Sequence, residues 1–231
     1  MADDNGPTTS YSDPFYDRLD LLAQQVRRQW ALVVLVILIF IGVGIAIQVA
    51  LTSRPEAAAA NAYLDALQER EPAKAEAALA AVLNGTGTPH FRAKAGIDLA
   101  ELRLRTGDLA GAKTAAQGAL AQAQAADEPD LLYAAQLTVG AVAEQSGDSA
   151  AAENAARQVY GAAAAFPATR LAAQLALARA LEQGGRPQEA VELLEPLLTR
   201  TDSGARRLLD LAAVEYWRLR RQLATSATAA P

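Results

Sequence analysis

Apolar residues fall along this chain in three patterns, and each predicts a different element. From 29 to 53, twenty-five consecutive residues carry no charge, and 31–51 (ALVVLVILIFIGVGIAIQVAL) is almost wholly Val, Ile, Leu, Ala and Phe. A helix over that stretch is about 31 Å long, which matches a hydrocarbon core of roughly 30 Å. It is longer than the apolar core of about 7–15 residues in a signal peptide and starts far from the first residue, so an uncleaved transmembrane helix is expected at 31–51. Before it, Phe15, Leu19, Leu22, Val26 and Trp30 recur at steps of three and four. They form one face of an amphipathic helix over 14–30, with Asp13 as N-cap and Pro14 at its first position. Residues 1–12 are polar and expected to be disordered. From 56 to 224, Ala, Leu, Glu, Gln and Arg dominate and no alternating β-branched run occurs, which predicts an all-α domain.

That domain is repetitive. The segments 99–120 (LAELRLRTGDLAGAKTAAQGAL), 139–160 (VGAVAEQSGDSAAAENAARQVY) and 177–198 (LARALEQGGRPQEAVELLEPLL) share one plan, a helix, a glycine stop and a second helix. The stops Gly107, Gly147 and Gly185 are spaced 40 and 38 apart. Five residues after them stand Ala112, Ala152 and Ala190, and seven before them Ala100, Gly140 and Ala178. Glycine supplies the left-handed backbone that ends a helix, and the small residues mark where paired helices approach most closely. A hairpin of two helices cannot bury its apolar face alone, so an α-solenoid of stacked helical hairpins is expected. Its parts are a degenerate hairpin at 56–84 broken near Pro72, repeats at about 91–123, 131–165 and 169–200, and a capping helix at 204–223. Residues 225–231 are expected to be disordered. The period predicts connections longer than a 34-residue repeat needs, for instance at 125–130.

These repeats resemble tetratricopeptide repeats, whose Gly-Asp-x-x-x-Ala turn stands at Gly107-Asp108 to Ala112 and Gly147-Asp148 to Ala152, with Arg186 and Pro187 following the third glycine. The order of tail, span, the link Thr52-Ser53-Arg54-Pro55 and repeats resembles the YfgM-like ancillary subunits of the SecYEG translocon over roughly residues 25–200. That resemblance implies an inner-membrane protein with a periplasmic domain. Its implied partners are the translocon and a membrane-bound periplasmic chaperone of the prolyl-isomerase type.

Charge refines this picture. Arg18, Arg27 and Arg28 precede the span and only Arg54 directly follows it, which puts the N-terminus in the cytoplasm and the repeat domain outside it. The link spans about 14 Å at most, so the repeat domain is expected close to the lipid surface. A net charge of −5 argues against nucleic acid as the main partner. With no cysteine in the chain, a disulfide framework, a thiol nucleophile and a thiolate metal site are excluded.

Candidate chemistry is sparse. His90 is the only histidine, too little for an imidazole metal site or a triad. Asp98 with Glu101 and Glu189 with Glu192 are carboxylate pairs at helical spacing, read as solvated faces. Gly184-Gly185 lies at a helix end and is not a phosphate loop. No catalytic residue, cofactor, metal or small-molecule substrate is expected, and the protein is read as a non-enzyme acting by protein binding. In such solenoids the first helix of each pair lines the concave side. That projects Lys94, Ile97, Glu101, Leu104 and Arg105 inward from the first repeat, Leu137, Ala141, Glu144 and Gln145 from the second, and Leu175, Arg179, Glu182 and Gln183 from the third. The mixed, partly apolar set suits extended or helical segments of client proteins, although several of these residues could equally be inter-repeat packing. Peptide clamps of this fold hold a C-terminal carboxylate with a Lys/Asn set, which is missing here. The last helix carries Arg206, Arg207, Arg218, Arg220 and Arg221 around Leu208, Leu211, Val214, Tyr216 and Trp217, as a solenoid cap or as a partner or headgroup contact. Alternatives to a translocon-associated adaptor are a general envelope scaffold for another membrane assembly and a sensor signalling through the cytoplasmic tail.

Overall fold

A computed structural model describes residues 37–38, 40–44, 56–200 and 203–228. The chain divides into two compact units, 1–54 and 55–231. In the first, the described residues are helical, and Ile37, Leu38, Phe40, Ile41 and Val43 are each at least half exposed. They fall within the apolar stretch 31–51. The rest of that stretch, the tail 1–12 and the amphipathic segment 14–30 lie outside the described residues. Among the described residues no helix is long and apolar enough to cross a membrane.

The second unit is all-helical, with no strand among its described residues. Helix α1 covers 56–68, and its Tyr63 and Ala66 share a core cluster with Leu79, Val82 and Leu83 of α2 (Pro72–Asn84). Then come α3 (Pro89–Thr106) with α4 (Leu109–Ala126), α5 (Pro129–Gln145) with α6 (Ser149–Ala162), and α7 (Pro167–Gln183) with α8 (Pro187–Leu194). Two short 3-10 turns, Glu195–Leu197 and Ser203–Ala205, precede the closing helix α9 (Arg206–Thr228). Helices α3, α5, α7 and α9 pack on one another in succession, whereas α4 and α6, or α6 and α8, do not approach each other. The hairpins are therefore closer on the side of the odd-numbered helices, which form the inner layer of a curved stack.

The three glycine stops behave as their spacing predicts. Gly107, Gly147 and Gly185 have φ of 84°, 79° and 76°, a region that only glycine enters without strain. Behind each, the backbone N–H of the next residue reaches five residues back: Asp108 to Arg103, Asp148 to Ala143 and Arg186 to Leu181, at 2.8 to 2.9 Å. The glycine N–H meanwhile reaches three residues back, completing a Schellman motif at all three turns. The following helices start on Asp108 and Asp148, whose carboxylates accept from the Gly111 and Ala151 N–H at 2.9 and 3.0 Å. In the third copy Pro187 occupies the first helical position instead, and Arg186 pairs with Glu153 of α6.

All six small positions flanking these stops are buried. Gly140 lies where a Cβ would stand 3.2 Å from the Ala155 Cβ, and at Gly96 an added Cβ would meet the Ala119 Cβ at 2.8 Å. The core is accordingly rich in alanine, with larger side chains at its two ends. Tyr63, Leu79, Leu83 and Leu99 pack between α1 and α4, and Leu171, Leu194, Tyr216 and Leu219 between α7 and α9.

Two sequence expectations need correction. Residues 125–130 are not a long connection. Asp127 takes a left-handed turn at φ 56°, and only two residues, Asp127 and Glu128, separate the end of α4 from Pro129 at the start of α5, so the period exceeds 34 because the helices are longer. Residues 225–228 are helical, not disordered, and 229–231 lie outside the described residues. The hairpin at 56–84 is intact, with Pro72 opening its second helix.

Candidate functional site

The inner layer presents a groove of about 330 Å³ across three successive hairpins. Helix α3 contributes Ile97, Glu101 and Leu104. Helix α5 adds Ala134, Leu137, Thr138, Ala141 and Glu144, and α7 adds Ala172, Ala176 and Arg179. Each helix thus offers positions three or four residues apart, a single stripe of an α-helix. The stripes are in register. Adding 40 carries Ile97, Glu101 and Leu104 to Leu137, Ala141 and Glu144, and adding 38 carries Ala134, Thr138 and Ala141 to Ala172, Ala176 and Arg179. These are the spacings of the turn glycines, so the turns that end the inner helices also align the groove wall.

Of the thirteen residues projected inward from the sequence, seven line this groove: Ile97, Glu101, Leu104, Leu137, Ala141, Glu144 and Arg179. Leu175, the counterpart of Leu137, is only 2% exposed and belongs to the core between α7 and α9. Glu182, the counterpart of Glu144, is held by Arg218 of α9, whose Nη1 and Nη2 donate to its two oxygens at 2.7 and 2.5 Å. Helix α9 therefore closes the groove at the third hairpin. Gln183 donates from Nε2 to the Glu144 carbonyl at 2.8 Å and acts as a tie between α7 and α5. Arg105 donates back to its own helix at the Glu101 carbonyl, and Lys94, half-buried, and Gln145, exposed, do not line the groove. Ala134, Thr138, Ala172 and Ala176 were missed by the sequence reading, because small residues in an alanine-rich stretch look like packing. The 40 and 38 offsets applied to Lys94 and Asp98 would have found all four.

The floor is apolar and the charges gather toward the C-terminal ends of the inner helices. Glu144 is partly buried, with 26% of its side chain exposed, and Arg179 Nη1 is 4.0 Å from its Oε2. Burial pushes the Glu144 carboxyl above its ordinary value; Arg179 opposes the shift, and the nearby carboxylates of Glu215 and Glu182 add to it. A cationic group entering the groove would relieve that burden.

Two further features lie outside the groove. Tyr63 of α1 donates to Asp98 Oδ2 at 2.6 Å, and burial, followed by the bond to that carboxylate, raises its phenol well above the ordinary value. His90 opens α3 with Nδ1 2.8 Å from Glu128 Oε1, bracing the start of α3 against that of α5 beside a shallow cavity of about 440 Å³. The His90 contact is a pair between helix starts, and the only hydroxyl among the residues lining that cavity is Thr88. Among the described residues no group of three or more His, Cys, Asp or Glu side chains could hold a metal ion.

No protein-family model, curated protein or solved structure matches this chain.

Proposed function

We propose that this chain is a membrane-anchored, non-catalytic adaptor whose helical repeats hold an extended or helical segment of a client protein in the groove across α3, α5 and α7. The observation that carries the reading is the groove itself. Three hairpins place apolar side chains in register over an open channel, with Glu101, Glu144 and Arg179 at one end. Apolar grooves of this kind accept an amphipathic helix or a strand by shape, and the few charged side chains set its direction. The uncharged stretch 29–53 supports the anchor. The tetratricopeptide-like turns and the order of tail, apolar stretch, short link and repeats support association with the Sec translocon and with a membrane-bound periplasmic chaperone, in an inner membrane with the repeats outside the cytoplasm.

The test is a photo-crosslinking amino acid at Ile97 in the full chain, in intact membranes. Crosslinks to translocon subunits or to exported proteins in transit are expected, and Ala141→Arg, which fills the groove without opening a cavity, should abolish them while leaving the melting temperature within about 2 °C. Crosslinks that persist unchanged in Ala141→Arg would place the partner elsewhere. Release of the chain from vesicles by carbonate would remove the anchor from the reading.

A further inference from the structure

We propose that the two ends of the helical stack dock on each other, head to tail, between copies of this chain. A solenoid end is a helix face with no next repeat to cover it, and it stays monomeric only if that face is polar. Here each end face mixes charged side chains with exposed apolar ones. On α9, Leu211, Val214 and Trp217 are 48%, 65% and 62% exposed, while the opposite face of the same helix is wedged against α7 and α8. On α1, Leu64 and Leu67 are 50% and 51% exposed.

The flanking charges are opposite. Helix α9 carries five arginines against Asp210 and Glu215, a formal +3, and Arg207 and Arg221 stand seven residues either side of Val214, on the same face. Helix α1 holds Glu56 and Asp65 and no basic side chain, a formal −2, with Asp65 and, just past its end, Glu69 beside the two exposed leucines. Two α9 faces would repel, so a symmetric pairing through α9 is disfavoured. Three hairpins separate the two ends of one copy along the stack, so a second copy is the partner that supplies the opposite end. An α1 edge from a second copy satisfies both the apolar stripe and the charge, and makes a heterologous contact that propagates as a chain of copies. An anionic bilayer would also suit α9, but it leaves the acidic, apolar α1 edge unexplained. At 23 residues α9 is about 34 Å long, and a strip roughly 10 Å wide offers about 340 Å² per partner. That is below the roughly 600 Å² per partner of specific stable interfaces, so the contact is transient and salt-sensitive.

The chain has no cysteine, which permits a direct test with the full chain in detergent. One copy carries Leu64→Cys and a differently tagged copy Val214→Cys, both at exposed positions that tolerate the change. Mild oxidation should link the two kinds of copy in clear excess over Val214→Cys copies with each other. Adding Arg207→Glu and Arg221→Glu should cut that yield about tenfold, and Asp65→Arg with Glu69→Arg in the partner should restore it. Equal or greater linkage between Val214→Cys copies overturns the proposal, as does absence of mixed linkage. If that absence comes with quenching of Trp217 by brominated anionic lipid, in the Trp30→Phe chain reconstituted into vesicles so that Trp217 is the sole tryptophan, the bilayer is the occupant.

Discussion

The close approach of α3 and α4 can be tested with two substitutions of identical chemistry and opposite expected sign. Gly96 and Gly118 both lie inside helices, so replacing either by alanine brings about 1 kcal/mol of backbone propensity. Their surroundings differ. A Cβ at Gly96 would stand 2.8 Å from the Ala119 Cβ, 3.0 Å from the Ala119 Cα and 3.0 Å from Leu83 Cδ1. Only the leucine can swing aside; the other two atoms move only if α4 moves. Overpacking of that kind costs roughly 1–3 kcal/mol, which outweighs the propensity gain and leaves a net loss of about 1 kcal/mol. At Gly118 the nearest atom is Leu83 Cδ2 at 3.4 Å, an ordinary contact, so the gain of about 1 kcal/mol survives. The variants should differ by about 2 kcal/mol, or about 4–8 °C in melting temperature for a domain of this size. Far-UV circular dichroism melts of the full chain in one detergent measure this, with Gly161→Ala, which has no neighbour within 4 Å, as a control. Gly96→Ala melting at or above Gly118→Ala would refute the claim that small residues at the crossing are required by backbone proximity.

Other expectations are briefer. Tyr63→Phe removes the 2.6 Å bond to Asp98 that ties α1 to α3, and should cost about 1–2 kcal/mol, read as faster hydrogen exchange in α1 with α7 and α8 unchanged. Asp148→Ala should cost about 1 kcal/mol through loss of its N-cap, whereas Arg186→Ala, whose partly exposed partners are Glu153 and Glu189, should cost less than that; urea midpoints of the pair decide it. Glu144 is raised by burial in the folded state, so the native protein holds its proton over a range where the unfolded chain has lost it. Stability should therefore fall as pH rises from the ordinary carboxylate value through the raised one, and Glu144→Gln should flatten that slope without loss at neutral pH. Glu153 runs the other way. Burial would raise it, but hydrogen bonds from Arg157 and Arg186 hold it below the usual range, so its stabilisation is present above the ordinary value and is lost in acid, which denaturation of Glu153→Gln against pH would register.

The turns and small positions were legible because they are local demands. A left-handed φ admits glycine almost alone, and helices in close contact admit only glycine or alanine, so spacing by itself located Gly107, Gly147, Gly185 and the six residues around them. Connection lengths were less legible. Pro129 reads as a loop residue until it is seen at the first position of a helix, where its missing N–H costs nothing. Thr225 and Ser226 read as a fraying end. In the structure their hydroxyls donate back to the carbonyls of Arg221, Gln222 and Leu223 and stay within α9.

The groove divides along the same line. Periodicity and charge along the chain determined an all-helical repeat unit, the register of its inner helices and most of the residues facing inward from α3 and α5, because a helix stripe follows from spacing alone. Only the tertiary structure decided where the groove ends. Leu137 and Leu175 occupy equivalent positions, as do Glu144 and Glu182, yet one of each pair is covered by α9 and the other is not. Coverage depends on which helix comes to lie over a stripe, and that is a property of the assembled stack rather than of any segment in it.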